Sequence, residues 1–358
     1  MKVLFVGHTP PPMHGAALVG KQVLDIVDGS HEVKRLAVSS SASIAEMENG
    51  GVVKKVLGSL RAAAAVIRWL FKFRPDAVYF TPSLSGGACI RDFFLIAMGI
   101  TYSKLIPVRL IAHIHMRPVY IAKHRILMSL WLWLCRRLEV VLLSRSLLAD
   151  FPATFYARRV HYIANGGNAI KERGREFLRP NVLYVGHIIY SKGVFRFLEN
   201  LASLAESVSV RFAGEFGSKE DEQRFYDLVS SLPTGRVQYV GRAEGEHKEQ
   251  LFADADALVI PSYSEALPIT MIEALSCGLP VVATAVGAIP DFITERTGFV
   301  GEFDQFFMGL NTVVTRGREY YSSDCKRAYQ EHFSSTRFKD DINCLFGTEN
   351  DLGRGSGE

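Results

Sequence analysis

Short β-rich apolar runs alternate with helical stretches along this chain, and the whole series occurs twice. The first series runs KVLFVG (2–7), a helix from about Ala16, EVKRLAV (32–38), a helix over 57–73, DAVYFT (76–81), a helix near 90–102, RLIAHIH (109–115), a helix over 121–135, VVLLS (140–144) and VHYIAN (160–165). Strand and helix in strict turn build a doubly wound parallel sheet, because each crossover brings the chain back parallel to the strand it left. The stretch NGGNAIKERGRE (165–176) is polar and glycine-bearing, as a linker is. The series restarts with NVLYVGH (181–187), a helix near 193–206, SVRFAGE (209–215), a helix over 219–231, VQYVG (237–241), a helix over 247–254, ALVIPS (257–262), a short helix carrying Glu273, and PVVAT (280–284). The expected fold is α/β, with two Rossmann-like domains, 1–168 and 169–321, facing across a cleft. Helices over 322–346 are expected to close the fold by packing back on the first domain, and 347–358 to form a disordered tail. Ligands of open parallel sheets bind beyond the carboxyl ends of the strands, which makes the cleft the expected site.

Composition narrows the class. The 358 residues suffice for two domains with a sizeable core. The cysteines, Cys89, Cys135, Cys277, Cys325 and Cys344, are odd in number and form no C-x-x-C pair, against both a disulfide framework and a zinc knuckle. Reduced thiols and a cytoplasmic location are expected, and the N-terminus lacks the ordered regions of a signal peptide. Charge is uneven: residues 1–165 carry 21 Lys+Arg against 9 Asp+Glu, and the remainder 20 against 28. A basic half implies that it faces a polyanion or an anionic membrane surface; nucleic acid is not among the expected partners. In SLRAAAAVIRWLFKFR (59–74), Arg61, Arg68 and Lys72 share one helical side beside Trp69, Phe71 and Phe73, and KHRILMSLWLWLCRR (123–137) brackets a ten-residue apolar run with basic residues. That run is too short to span a bilayer, which takes about 20 apolar residues. Interfacial docking and burial as crossover helices both fit these segments.

The fingerprint of dinucleotide binding, G-x-G-x-x-G after the first strand, is absent, since the chain has VGHTPPPMHGAALVG there. The segment SEALPITMIEAL (264–275) carries more information: it sets Glu265 and Glu273 in an otherwise nearly apolar run. A carboxylate near a core face is costly unless paired or hydrogen-bonded. Pro268 suits a first helical position, and CGLP (277–280) supplies a stop. The amides of Ile269, Thr270 and Met271 lack an evident cap at Ala266 or Leu267, leaving a helix N-terminus suited to phosphate. Eight helical residues span about 12 Å. A nucleotide sugar could lie along them, its sugar at Glu265, its diphosphate at the amides and its ribose at Glu273, because an ionised carboxylate accepts several hydroxyls at once. Taken alone, the two glutamates fit a cap and a solvated helix residue equally well.

The segment resembles the E-x7-E motif of the retaining GT-B glycosyltransferases of family 4, the glycosyl transferases group 1, and the resemblance continues along the chain. LYVGHIIYSKG (183–193) resembles the family's diphosphate-gripping strand and loop, RLIAHIHM (109–116) its strand ending in a sugar-facing histidine, and VVLLSRSLLADF the next strand and helix. YIANGG (162–167) resembles its strand-end Asn-Gly, and PPPMHGAALVG (10–20) its first loop. The resemblance implies that Glu265 holds the donor sugar, Glu273 the ribose and Lys192 the diphosphate. It further implies that His115 faces the sugar, with His113 on the same sheet face as the alternative, and that Gly15 lets backbone approach the phosphates. Arg242, by position, is expected near the base.

The chain departs from the family where His187 stands in place of the usual arginine of VGR. Histidine lacks arginine's permanent charge and forked donors, so either a protonated His187 or Arg242 must meet the diphosphate. The loop EALP also lacks the family's glycines, which bears on backbone contacts from Ala266 and Leu267. Asp254 and Asp256 form a D-x-D spacing that binds metal in another glycosyltransferase fold; here they are read as structural, with no metal and no other cofactor expected. The expected function is metal-independent, retaining transfer of a sugar from a UDP- or GDP-type donor to a hydroxyl acceptor. The acceptor is expected to be a lipid-linked glycan, handled by a cytoplasmic, peripherally membrane-bound protein. The alternatives are an epimerase or hydrolase of the same fold, or a non-catalytic partner subunit.

Overall fold

A computed structural model describes residues 1–10, 15–38, 52–176 and 180–347. Part of the glycine-bearing first loop (11–14) and all but the first residue of the expected tail (347–358) lie outside the described residues. The chain forms two compact units: Met1–Asn165 with the chain from Phe338 onward, and Gly166–Arg337. Of the helices expected over 322–346 to pack back on the first domain, Arg318–His332 goes with the second unit and the end of Ser335–Phe346 with the first.

The first unit is a six-stranded parallel sheet of β1 (Lys2–Gly7), β2 (Glu32–Ala37), β3 (Ala77–Phe80), β4 (Arg109–Ile114), β5 (Glu139–Leu142) and β6 (Arg159–Tyr162), in the order β2-β1-β3-β4-β5-β6. The central strands read apolar at nearly every position because both faces are covered. Side chains alternate between those faces. Leu4, Val6, Val78, Phe80, Leu110 and Val140 meet Val66, Leu70, Ile96, Trp131 and Leu134 of the crossover helices in one cluster. On the other face Tyr79 stacks on Phe5, with ring centroids 5.2 Å apart, and meets Phe346 of the returning C-terminal helix at 5.8 Å. The helix expected over 121–135 is broken at His124 into Val119–Ala122 and Arg125–Cys135.

A charged network closes the amino edge of this sheet. Arg109 donates to both oxygens of Glu139, at 2.9 and 2.8 Å, and to the Leu345 carbonyl at 2.8 Å, while His161 Nε2 lies 3.1 Å from Glu139 Oε2. Burial pushes the Glu139 carboxyl up, but the bonds from Arg109 and His161 outweigh it and hold the pKa at about 2.

The second unit repeats the plan with β7 (Asn181–Val185), β8 (Ser209–Ala213), β9 (Val237–Gly241), β10 (Ala257–Ile260), β11 (Val281–Thr284) and β12 (Gly298–Gly301), ordered β12-β11-β10-β7-β8-β9 and parallel throughout. The order reverses between β7 and β10, so the chain leaves these neighbours in opposite directions and opens a crevice at their carboxyl ends. Three elements had no counterpart in the expected series: the short helix Ile289–Phe292, β12, four residues bounded by glycines, and the helix Phe303–Arg316, which buries Phe306, Phe307, Leu310 and Val313. The helix expected to reach residue 206 stops at Glu199 and continues only as a tight turn, Leu201–Ser203.

Candidate functional site

The candidate site lies in the second unit, where β7 and β10 end. Beyond β7 the chain turns sharply and is tied to β8: Gly186 N donates to the Ala213 carbonyl at 3.0 Å and Ile188 N to that of Glu215 at 2.8 Å. The buried Tyr184 hydroxyl donates to the His187 carbonyl at 2.6 Å and sets the turn at that residue. A tight turn over Tyr190–Lys192 follows, ended by Gly193 in the left-handed region with φ 70°. A Cβ on Gly193 would stand 1.8 Å from the Pro261 carbonyl oxygen, so only glycine lets the two loops close on each other.

That closure brings Lys192 Nζ to 2.5 Å from Glu265 Oε1, and Ser262 Oγ donates to the same oxygen at 3.1 Å. Both charged side chains keep some exposure, 29% for Lys192 and 12% for Glu265. Ser262 is buried and clamped through its carbonyl, which accepts from Thr284 Oγ1 at 2.5 Å and from Arg196 Nη2 at 3.0 Å. The Arg196 guanidinium also donates to the Pro261 carbonyl and lies over the rings of Tyr263 and Phe303, at 3.8 and 4.1 Å from their centroids. Tyr263 in turn stacks on Tyr190, with centroids 5.0 Å apart. From the other side Gly287, φ 59°, packs where a Cβ would lie 2.0 Å from the Glu265 carbonyl oxygen, and Ala288 N donates to the Ala266 carbonyl at 2.8 Å. The Glu265 loop is therefore held by backbone bonds on both flanks.

The helix that follows spans Ile269–Ser276. Pro268 is its N-cap, one position earlier than the first helical position expected of it, because its ψ of 129° is extended. No side chain caps the helix, so the positive end of its dipole lies at Ile269 and Thr270, just beyond the buried Ala266 and Leu267. Glu273 meets Lys248 Nζ at 2.6 Å through Oε1. Its Oε2 is buried and accepts no hydrogen bond among the described residues. Burial pushes the Glu273 carboxyl up and Lys248 only partly offsets it.

Lys192, Glu265, Ile269 and Thr270 thus gather at the β7/β10 crevice, with Glu273 on the same short helix. His187 is half-buried in the turn after β7. Arg242 stands at the end of β9, half exposed, and donates to Glu215 Oε1 at 3.1 Å and Glu244 Oε1 at 2.9 Å, so its charge is already engaged. The two D-x-D aspartates sit at the opposite, amino edge of the sheet. Asp256 accepts both forks of Arg175, at 2.7 and 2.8 Å, and Asn181 N; Asp254 accepts from Arg211, Glu176 N and Gln250. They tie strands and linker together.

Residues that sequence reasoning missed are the supports: Ser262, Thr284, Arg196, Tyr263, Gly287 and Lys248. Gly287, in the loop after a strand, carried a usable signal; Lys248 looked like any helix-surface lysine.

In the first unit His115 follows β4, half-buried, its ring centroid 4.0 Å from that of His113. His113 is fully buried, with Nδ1 2.5 Å from the Tyr79 hydroxyl, and burial together with His115 holds its pKa well below the ordinary value. It is a neutral core residue, which leaves His115 as the more accessible of the pair. Gly15 is exposed at the start of the helix Gly15–Asp28.

Residues 170–305 match the family described as glycosyl transferases group 1. The sulfoquinovosyl transferase SQD2 of Arabidopsis thaliana is 28% identical over 293 residues, which is 73% of this chain and 54% of that protein. The lipopolysaccharide glucosyltransferase WaaG of Escherichia coli is 33% identical over 128 residues, 36% of this chain and 33% of that one. The chain spans about half the length of the first of these relatives and less of the second. Among solved structures, Anabaena HepE in complex with UDP-glucose superposes with a TM-score of 0.74 at 17% identity, covering 97% of this chain and 99% of that one.

Proposed function

With its second unit a member of the glycosyl transferases group 1 and its fold that of the GT-B glycosyltransferases, the chain is, we propose, a retaining glycosyltransferase that moves a sugar from a nucleoside diphosphate donor to a hydroxyl acceptor. The observation that carries this is the Lys192–Glu265 pair at the β7/β10 crevice, beside an uncapped helix N-terminus. Each partner stands in for what the other would meet on a donor. Lys192, a compact cation on a flexible stem, can leave the carboxylate for a diphosphate and neutralise the charge that grows as the sugar departs. Glu265, released from it, can accept sugar hydroxyls. The amides of Ile269 and Thr270 add a fixed positive field at no reorganisation cost. Glu273 Oε2, buried and unpartnered, is suited to a ribose hydroxyl.

In this reading no divalent metal is needed, since Lys192 and the helix amides supply the electrostatics and the D-x-D carboxylates are held by arginines. The departing phosphate takes the acceptor proton and the anomeric configuration is kept. Relatives named for lipopolysaccharide and galactosylglucosyldiacylglycerol synthesis support a lipid-linked glycan as acceptor, and a neighbour bound to UDP-glucose supports a UDP-type donor; the place of action in this reading is cytoplasmic. His115 is the first-unit residue whose replacement tests whether that unit takes part in the transfer.

Product analysis tests the proposal: incubation of the intact chain with a panel of nucleotide sugars and a lipid-linked glycan acceptor in chelator should yield one retained glycoside. Free sugar or an epimer formed without acceptor, or activity restored only by manganese, would overturn it.

A further inference from the structure

The strongest feature outside the candidate site is the outer surface of the first unit's crossover helices. Val52–Phe73, Gly86–Ser103 and Arg125–Cys135 link β2 to β3, β3 to β4 and β4 to β5, stepping each time in the same direction across the sheet. Right-handed crossovers therefore place all three on one side, where Gly86–Ser103 lies against both of the others. Their inner sides fill the core with Val66, Leu70, Phe93, Ile96, Trp131 and Leu134. Their outer sides should then be polar.

They are not. Leu57, Leu60, Ile67 and Phe71 recur at helical spacing and are 49, 62, 45 and 54% exposed. Ile90, Phe94 and Leu105 continue one stripe along the second helix and past its end, at 49, 64 and 69%, and Ile126, Leu130 and Trp133 form a third, at 77, 48 and 57%. Scattered exposed apolar residues need no explanation, but three parallel stripes on adjacent helices do. The charge around them is one-sided: residues 52–137 hold 14 Lys+Arg against two aspartates, even though Arg91, Arg109 and Arg117 are taken up by Asp92, Glu139 and Asp150. Asp92 is buried beside Arg91, and Asp76 stands just ahead of β3, where it accepts the Lys2 amide. Lys34, Arg68 and Lys72 crowd the Trp69 ring, Lys34 at 4.0 Å from its centroid. No helix among the described residues is long and apolar enough to cross a membrane.

We propose that this three-helix face docks the protein on an anionic phospholipid surface, with Phe94, Ile126, Trp133, Leu60 and Phe71 entering the acyl boundary and the surrounding lysines and arginines meeting the headgroups. A second copy of this chain would set one cationic face against another, whereas an anionic bilayer matches both the apolar stripes and the charge. The inference stands on the first unit alone and does not depend on the chemistry of the second.

Flotation of the full chain with phosphatidylcholine vesicles, with and without phosphatidylglycerol, tests it. The chain should float with the anionic vesicles, weakly with the neutral ones, and less as salt rises. Each lysine or arginine near the surface is worth about fivefold in partitioning, so Arg68→Glu with Lys72→Glu should lower it by at least about 25-fold. Phe94→Ser with Trp133→Ser should abolish binding at high salt; both sites are exposed, so the thermal midpoint should stay unchanged. Emission of the wild-type chain should shift to the blue on anionic vesicles, and that shift should vanish in Trp133→Phe while binding persists. No flotation with either vesicle, binding indifferent to both double variants, or a dimer that those variants dissociate in the absence of lipid would overturn the proposal.

Discussion

The two edges of the second sheet treat carboxylates differently. At the amino edge Asp256 is gripped by the Arg175 fork and the Asn181 amide, and Asp254 by Arg211, the Glu176 amide and Gln250. At the carboxyl edge Glu265 and Glu273 are each met by one lysine, and Glu273 keeps an oxygen with no hydrogen bond among the described residues. An arginine fork saturates a carboxylate and fixes its geometry; a lysine is a point charge that leaves acceptors open and can swing away. The first edge is built to hold the fold, the second to exchange partners. The first unit repeats the arginine-held kind at its own amino edge, in Glu139.

The sharpest way to break this contrast is Glu265→Gln. Transfer should fall about 100- to 1000-fold, in the range of losing one transition-state contact, while the thermal midpoint barely moves; unchanged turnover with unchanged stability would remove the carboxyl edge from the chemistry. Next comes Glu139. With its pKa held at about 2, below the ordinary 4.5, it contributes stability that is present above pH 4.5 and is lost as pH falls through about 2. That contribution is on the order of 3 kcal/mol, and Glu139→Gln should flatten the acid limb of a pH series of urea melts.

Asp256→Asn and Glu273→Gln form a matched pair. Asp256→Asn should cost about 2 kcal/mol of unfolding free energy and leave turnover per folded molecule intact. Burial raises the Glu273 pKa, so its charge opposes folding at neutral pH and the opposition fades as pH falls through the raised value. Glu273→Gln should therefore hold or slightly raise the melting midpoint while weakening the donor about tenfold, one good hydrogen bond to a charged group. Opposite results for the pair would erase the distinction between edges. The smallest effect belongs to His187, where arginine, with its permanent charge and forked donors, should tighten donor binding a few-fold; calorimetric titrations of the two chains decide it.

The parallel sheets were legible in the sequence because buried central strands leave continuous apolar runs, as in AVYF and ALVI. The glutamates and Lys192 were legible because charge stands out in such surroundings and because their spacing resembles a known motif. β12 was not, being four residues of GFVG held by pairing to β11 rather than by any pattern of its own. His124 gave no warning of the helix break it makes. The supports of the site were hidden for a further reason: Ser262 acts through its carbonyl, Arg196 through the carbonyls and rings it reaches, and Lys248 through a partner 25 residues on. Such contacts exist only after folding.

The central claim is that the β7/β10 crevice binds a nucleoside diphosphate sugar through Lys192. Isothermal titration of the intact wild-type and Lys192→Ala chains with UDP-, GDP- and ADP-sugars tests it most directly. Saturable binding of one donor by the wild type, weakened at least about tenfold in the variant, as expected for a lost charged contact, is the result expected. Binding of none, or binding that Lys192→Ala leaves unchanged, would contradict the claim.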